Sequence, residues 1–184
     1  ASLRFGKLLN SLLFASTRTS GKIMLSLKIY KEIKDYGFIL ETVCSREFVN
    51  QVIAEVPAEP RDKFLINFGL QTKSIPTYSF MLRRCLEENL LQTGRILYNK
   101  ISDQLSMDMK DQYKFHNYGV QFLLLGNKVT EGLDMYFKWN NKYDKLLGKK
   151  FEFDYHTEEA VFVAFAQLKN KADAFKHFKQ YVNM

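Results

Sequence analysis

An all-α chain, built as an αα-hairpin repeat solenoid of about five hairpins, is the fold that three features of this sequence predict. Glycine and proline are scarce, nine and three in 184 residues, and apolar residues are spread rather than blocked, which suits helices joined by few tight turns. One order of small, aromatic and bulky residues recurs in four segments at helical spacing. Ahead of each segment lies a second amphipathic run, set off by short polar punctuation. Paired helices with short connections are antiparallel neighbours. A lone hairpin cannot bury its apolar face, and stacking hairpins into a superhelix solves that problem.

The recurring segments are SLKIYKEI from Ser26, GRILYNKI from Gly94, GLDMYFKW from Gly132 and AFKHFKQY from Ala174. Aligned, they give a small column (Ser26, Gly94, Gly132, Ala174), then an aromatic column (Tyr30, Tyr98, Tyr136, Phe178), then a bulky one (Ile33, Ile101, Trp139, Tyr181). Positions i, i+4 and i+7 share one helix face, so the small residue admits a partner helix and the large ones fill the space beside it. Successive rings lie about 68, 38 and 42 residues apart, the first interval close to two 34-residue units.

In chain order, LLNSLLFAST (8–17) precedes the turn TSGK (19–22) and the Ser26 segment. The second unit departs from the pattern: SREFVNQVIAEV is broken by PAEP (57–60), and RDKFLINFGLQ supplies its second helix without the three columns. TYSFMLRRCL, the turn EEN (87–89) and the Gly94 segment form the third. FHNYGVQFLLL, the turn GNK (126–128) and the Gly132 segment form the fourth, lengthened by the basic KWNNKYDKLLGKKFEF (138–153). TEEAVFVAFAQL, KNK (169–171) and the Ala174 segment close the chain. Residues 1–184 thus read as one solenoid segment with units near 7–41, 42–74, 75–112, 113–154 and 155–184, an excerpt of a longer array.

A net charge of +7 and a pI near 9.3 suit a polyanionic partner, or simply a basic surface. The first 31 residues carry Arg4, Lys7, Arg18, Lys22, Lys28 and Lys31 and no acid. Acid-free basic starts resemble organellar transit peptides, but these residues also fit the first repeat, so a cleavable signal is expected upstream. Cys44 and Cys85 form no disulfide framework or metal spacing and are expected as buried thiols. No apolar run nears the length of a membrane span. Phosphate-binding, dinucleotide and zinc-protease motifs do not occur. His116, His156 and His177 have no carboxylate or nucleophile at a telling distance. The expectation is a protein that is not an enzyme and needs no cofactor or metal.

The first unit, Lys7 to Glu41, resembles a pentatricopeptide repeat. It places Gly21 at the inter-helix turn, Ser26 and Tyr30 on the second helix, and KDYGFILE with Gly37 as its tail. PTYS and RILYNKI resemble the same family's start and second helix, whereas Tyr118-Gly119 with LLLGN also resembles a tetratricopeptide repeat. The resemblance covers four of the five units and is to the divergent arrays of fungal mitochondria. It implies a right-handed superhelix that binds single-stranded RNA, one nucleotide per repeat, along its first helices. Carried over, the base-reading fifth places are Ser11, Ser79, Asn117 and Glu159. The last places are Glu41 and Asp154, with Met109 or Gln112 in the offset third unit. The second places are Pro76, Lys114 and His156. Asn117 with Asp154 resembles the family's uracil-reading pair, and Glu159 departs from the pattern. A local role competes at several positions: Ser11 and Ser79 lie near helix starts, and Thr157 with Glu158 and Glu159 suits a cap and first turn. Arg83, Arg84, Lys142, Lys145, Lys149 and Lys150 are the expected phosphate contacts.

The resemblance implies a mitochondrial matrix factor in mRNA stability, processing or translation, partnered by RNA and by the ribosome or processing proteins. The alternative is a helical-repeat scaffold, or a structural subunit of a ribonucleoprotein such as the mitochondrial ribosome.

Overall fold

The computed structural model describes residues 2–72, 74–102, 109–147 and 153–168, with 172, 175, 176 and 179; for residues 2, 109–114, 143, 144, 146 and 147 it describes the backbone alone. Among them are nine helices and no strand. They fall into two compact units, 1–84 and 85–184, divided within the fifth helix.

In the first unit, α1 (Ser2–Thr17) packs along α2 (Ile23–Asp35) and also directly on α3 (Thr42–Glu55), with α2 touching α3 as well. α4 (Ala58–Thr72) follows α3, and α5 (Ile75–Glu87) begins within this unit. Leu13, Ile33, Phe48, Val49, Val52 and Leu65 are buried almost completely, each worth about 1.5–3 kcal/mol in water removed from apolar surface. α1 starts at Ser2, five residues ahead of the expected Lys7. α4 starts inside PAEP rather than after it, because a proline in a first turn lacks only an N–H that the helix leaves unbonded anyway. In place of the three columns, α4 contributes Phe64 and Phe68 to a knot of rings with Tyr30 and Phe48, centroids 5.1–6.0 Å apart.

The second unit holds the rest of α5, then α6 (Leu91–Ser102), α7 (Met109–Leu125), α8 (Val129–Leu147) and α9 (Tyr155–Gln167). Its packing repeats the first unit's: α7 lies against α8 and directly on α9, and α8 touches α9. This repetition makes the fold repeat-like. α8, at 19 residues, absorbs most of the basic extension as a lengthened second helix.

The columns explain the packing. Ser26 is fully buried and shares a 2.8 Å hydrogen bond with Ser16 across the α1–α2 hairpin. A Cβ added at Gly94 would stand 2.2 Å from the Phe122 ring, and one at Gly132 would stand 2.4 Å from Leu124, so these crossings need glycine. Each described aromatic leans on the first helix of the next pair. Tyr30 meets Phe48 of α3, Tyr98 meets Phe115 and His116 of α7, and Tyr136 bonds Glu158 of α9. Ala174, Phe178 and Tyr181 lie outside the described residues.

Two hairpin turns close alike. Asn89 and Asn127 adopt left-handed φ of 56° and 59°. The next residue's N–H reaches back to Cys85 or Leu123, and the asparagine's own to Leu86 or Leu124. This is the double bond that ends a helix when one residue tolerates positive φ. Gly37, at φ 67°, ends α2 the same way.

Candidate nucleic-acid interface

α1 is sorted by side chemistry around its circumference. Gly6, Leu9, Asn10, Leu13 and Ser16 are buried. At about 100° per residue, Arg4, Lys7, Ser11 and Arg18 (just past the helix end) fall within roughly 60° of arc on the opposite side, and all four are exposed. Ser11 thus stands amid a basic stripe on a helix containing no acidic residue. The Arg18 guanidinium folds over Phe14 at 5.3 Å, which steadies its stem and leaves the charge at the surface. On α5, Pro76 is exposed, Ser79 half-buried and Arg83 exposed, at positions that share one face. Arg84 is half-buried beside them.

Asn117 and Asp154 occupy the joint between two consecutive first helices, α7 and α9. Asn117 is 3% exposed, and its Oδ1 accepts from the Asp154 N–H at 3.0 Å and from Thr157 Oγ1 at 2.8 Å. Asp154 is the N-cap of α9: its carboxylate accepts from the Thr157 N–H at 2.8 Å and from Gln121 Nε2 at 3.3 Å. Gln121 Nε2 also donates to Thr157 Oγ1 at 2.8 Å. The Asn117 side chain therefore meets the Asp154 backbone, not its carboxylate, and the asparagine oxygen ties α7 to the start of α9.

The same joint recurs in the first unit, and sequence reasoning missed it. Asn10, also 3% exposed, donates from Nδ2 to the carbonyls of Gly6 and Ile39, both at 3.0 Å. Its Oδ1 accepts from the N–H of Glu41 at 2.9 Å, and Glu41 is the N-cap of α3. Cys44, three residues into the cap as Thr157 is, donates its thiol to the Asn10 carbonyl at 3.4 Å. By this equivalence Asn10, not Ser11, corresponds to Asn117. The available signal was an asparagine in α1 and another in α7, 31 and 37 residues ahead of the N-caps of α3 and α9. Burial, with Glu41 adding, pushes the Cys44 thiol above its usual value, so it stays protonated. Cys85 is likewise buried.

Glu41, His156 and Glu159 are exposed, as are Lys142 and Lys145 on α8. Lys149 and Lys150 lie outside the described residues, as do the side chains of Met109, Gln112 and Lys114.

Beside the second joint, His116 is buried between two rings. Trp139 stacks on it at 3.5 Å and 15°, and Tyr98 Oη shares a 2.8 Å hydrogen bond with Nδ1. Burial foremost, then the Lys142 and Lys138 charges, lower its pKa to about 4, so it is neutral at physiological pH. Lys142 Nζ stands 4.3 Å from the Trp139 ring centre and Lys138 Nζ 5.7 Å from it. Among the described residues, no three His, Cys, Asp or Glu side chains gather as a metal site would require, and no helix is long and apolar enough to cross a membrane.

No known family model matches the chain, and a search of curated proteins finds no match.

Proposed function

We propose that this chain is a segment of a pentatricopeptide-like α-solenoid that binds single-stranded RNA and acts in mitochondrial gene expression, through mRNA stability, processing or translation. The observation that carries this reading is the acid-free basic stripe of α1, with Ser11 among Arg4, Lys7 and Arg18. Such a face suits a phosphate backbone, whose condensed counterions are released on contact. An uncharged hydroxyl between the cations can meet a base edge without repelling the strand. The mechanism is occlusion: RNA held along the first helices is shielded from nucleases or handed to the ribosome. Asn117 and Asp154 then act mainly by fixing the angle between successive first helices, and the exposed polar and basic residues carry the contact.

The test is a gel-shift titration with single-stranded RNA at several salt concentrations, on wild type and on an Arg4→Ala/Lys7→Ala double variant. The expected result is affinity that falls steeply with salt, with a slope about 1.4 smaller in the variant, at ~0.7 for each phosphate no longer neutralised. An unchanged slope would remove the stripe from the interface.

One observation favours a second reading, a protein-binding scaffold or ribonucleoprotein subunit. Phe5, Leu8 and Leu12 form an exposed apolar line on α1 beside the basic stripe, the kind of surface that a partner helix covers. Stable capture of a protein by this line, together with absence of RNA binding, would favour the scaffold.

A further inference from the structure

Trp139 breaks the pattern of its own column. The equivalent residues Ile33 and Ile101 are each 1% exposed. Trp139 is only half-buried. One face of its ring rests on the His116 imidazole at 3.5 Å. A ring stacked that closely leaves only the other face for the Lys142 ammonium, 4.3 Å from the centroid. Lys138 stands at 5.7 Å, and Lys138, Lys142 and Lys145 are all exposed on the same helix.

The underside of this ring is braced. His116 is a buried residue of α7 held by Tyr98 of α6, and its low pKa keeps it uncharged, so it supports the indole as a flat neutral surface. The ammonium on top is different in kind. It sits on an exposed, flexible stem and regains its full hydration whenever it swings away. A preorganised indole covered by displaceable cations is how proteins hold an unpaired base, with the π-face stacking and the cations turning to the adjoining phosphate.

We propose that Trp139, backed by His116 and flanked by Lys138 and Lys142, is a stacking platform for one unpaired base of single-stranded RNA. The platform lies on a second helix, α8, apart from the first-helix positions that the repeat resemblance nominates. It rests on the RNA-binding reading and adds to it a contact indifferent to base identity, since every base has a π-face. Lys142 moves off the indole when the base arrives and pairs with the phosphate beside it.

Trp139 is the chain's sole tryptophan, so its emission reports on this site alone. The intact protein is titrated with a mixed-sequence single-stranded oligoribonucleotide at low salt, with the matching RNA duplex as control. The expected result is quenching by the single strand and none by the duplex. Binding by Trp139→Leu should be about tenfold weaker, within the range found for loss of one base–aromatic stack, and Trp139→Phe should restore most of it. If gel shifts show RNA binding while emission stays constant and Trp139→Leu binds as wild type does, the platform is refuted and the RNA-binding reading stands. If no single-stranded RNA binds, both fail. Because quenching is read on the wild-type chain, the outcome does not depend on any variant folding.

Discussion

The joint at Asn10 and the joint at Asn117 perform the same mechanical task with different chemistry. In both, a buried asparagine on a first helix accepts a hydrogen bond from the N-cap N–H of the next first helix. Asn10 works through both ends of its amide and reaches backbone groups only, while the Glu41 carboxylate makes no capping bond. Asn117 belongs to a side-chain network: Asp154 caps α9, Thr157 donates to the asparagine, and Gln121 donates to both Asp154 and Thr157. The residue before each asparagine differs as well, Leu9 in the first unit and His116 in the second, both buried. The repeat thus keeps a contact between helices, not a residue set. The second joint is also the more specific, because more of its bonds depend on side chains.

Acid should separate the two joints most sharply. The His116 imidazole has its ordinary value of 6.5 in the unfolded chain and about 4 in the fold. The unfolded state therefore binds the proton first as pH falls. The His116 contribution to stability is complete above about pH 6.5, declines between there and about pH 4, and changes no further below, a total of at most about 3 kcal/mol. Urea melts at pH 7 and pH 4.5 check this, and Trp139 emission, which reports the second unit, should lose more of its midpoint than far-ultraviolet ellipticity does. Replacing His116 with Leu, the first unit's choice, should flatten that dependence. A dependence unchanged in His116→Leu would assign the acid sensitivity elsewhere.

Removing the asparagines comes next. Asn117→Ala removes the acceptor of both the Asp154 N–H and the Thr157 hydroxyl and should cost about 2–3 kcal/mol, whereas Asn10→Ala, at a joint whose partners are backbone groups, should cost about 1–2. Thermal melts of the two variants rank them. Equal losses would mean that the extra side-chain bonds of the second joint add nothing.

The caps give the smallest contrast. Asp154→Ala deletes a true N-cap bond and should cost about 1 kcal/mol, while Glu41→Ala should change stability by less than about 0.5. Amide hydrogen exchange in the first turns of α9 and α3 would show the difference locally. Faster exchange at α3 in Glu41→Ala would reveal a capping role that the geometry lacks.

Much of the helical layout was legible from residues alone. The aromatic column lies where a ring on each second helix can lean on the following first helix, and Tyr30, Tyr98 and Tyr136 do so. The turns were legible at EEN and GNK because asparagine tolerates the left-handed backbone that a double-bonded helix end demands. PAEP does separate α3 from α4, but only Val56 and Pro57 lie between them: proline disrupts a helix interior yet starts one comfortably, so α4 takes Pro60 into its first turn. The candidate site was less legible. Aligning Ser11 with Asn117 misses the true equivalent by one residue. One residue is about 100° of a helix, enough to exchange a solvent-facing hydroxyl for a buried amide. Trp139 fits the bulky column and gives no hint in sequence that His116 would back it.

Chain order by itself determined whatever depends on neighbours within a turn or two: helix, turn, and the stripe of charge on α1, since each is set by spacing and backbone preference at short range. Only the packed molecule decided which polar side chains face inward. Asn10 and Asn117 are joined to partners 31 and 37 residues away, and the partners' positions depend on how the intervening second helices pack. Until those helices dock, the same asparagine can solvate, read a base or lock a joint, and only burial decides among them.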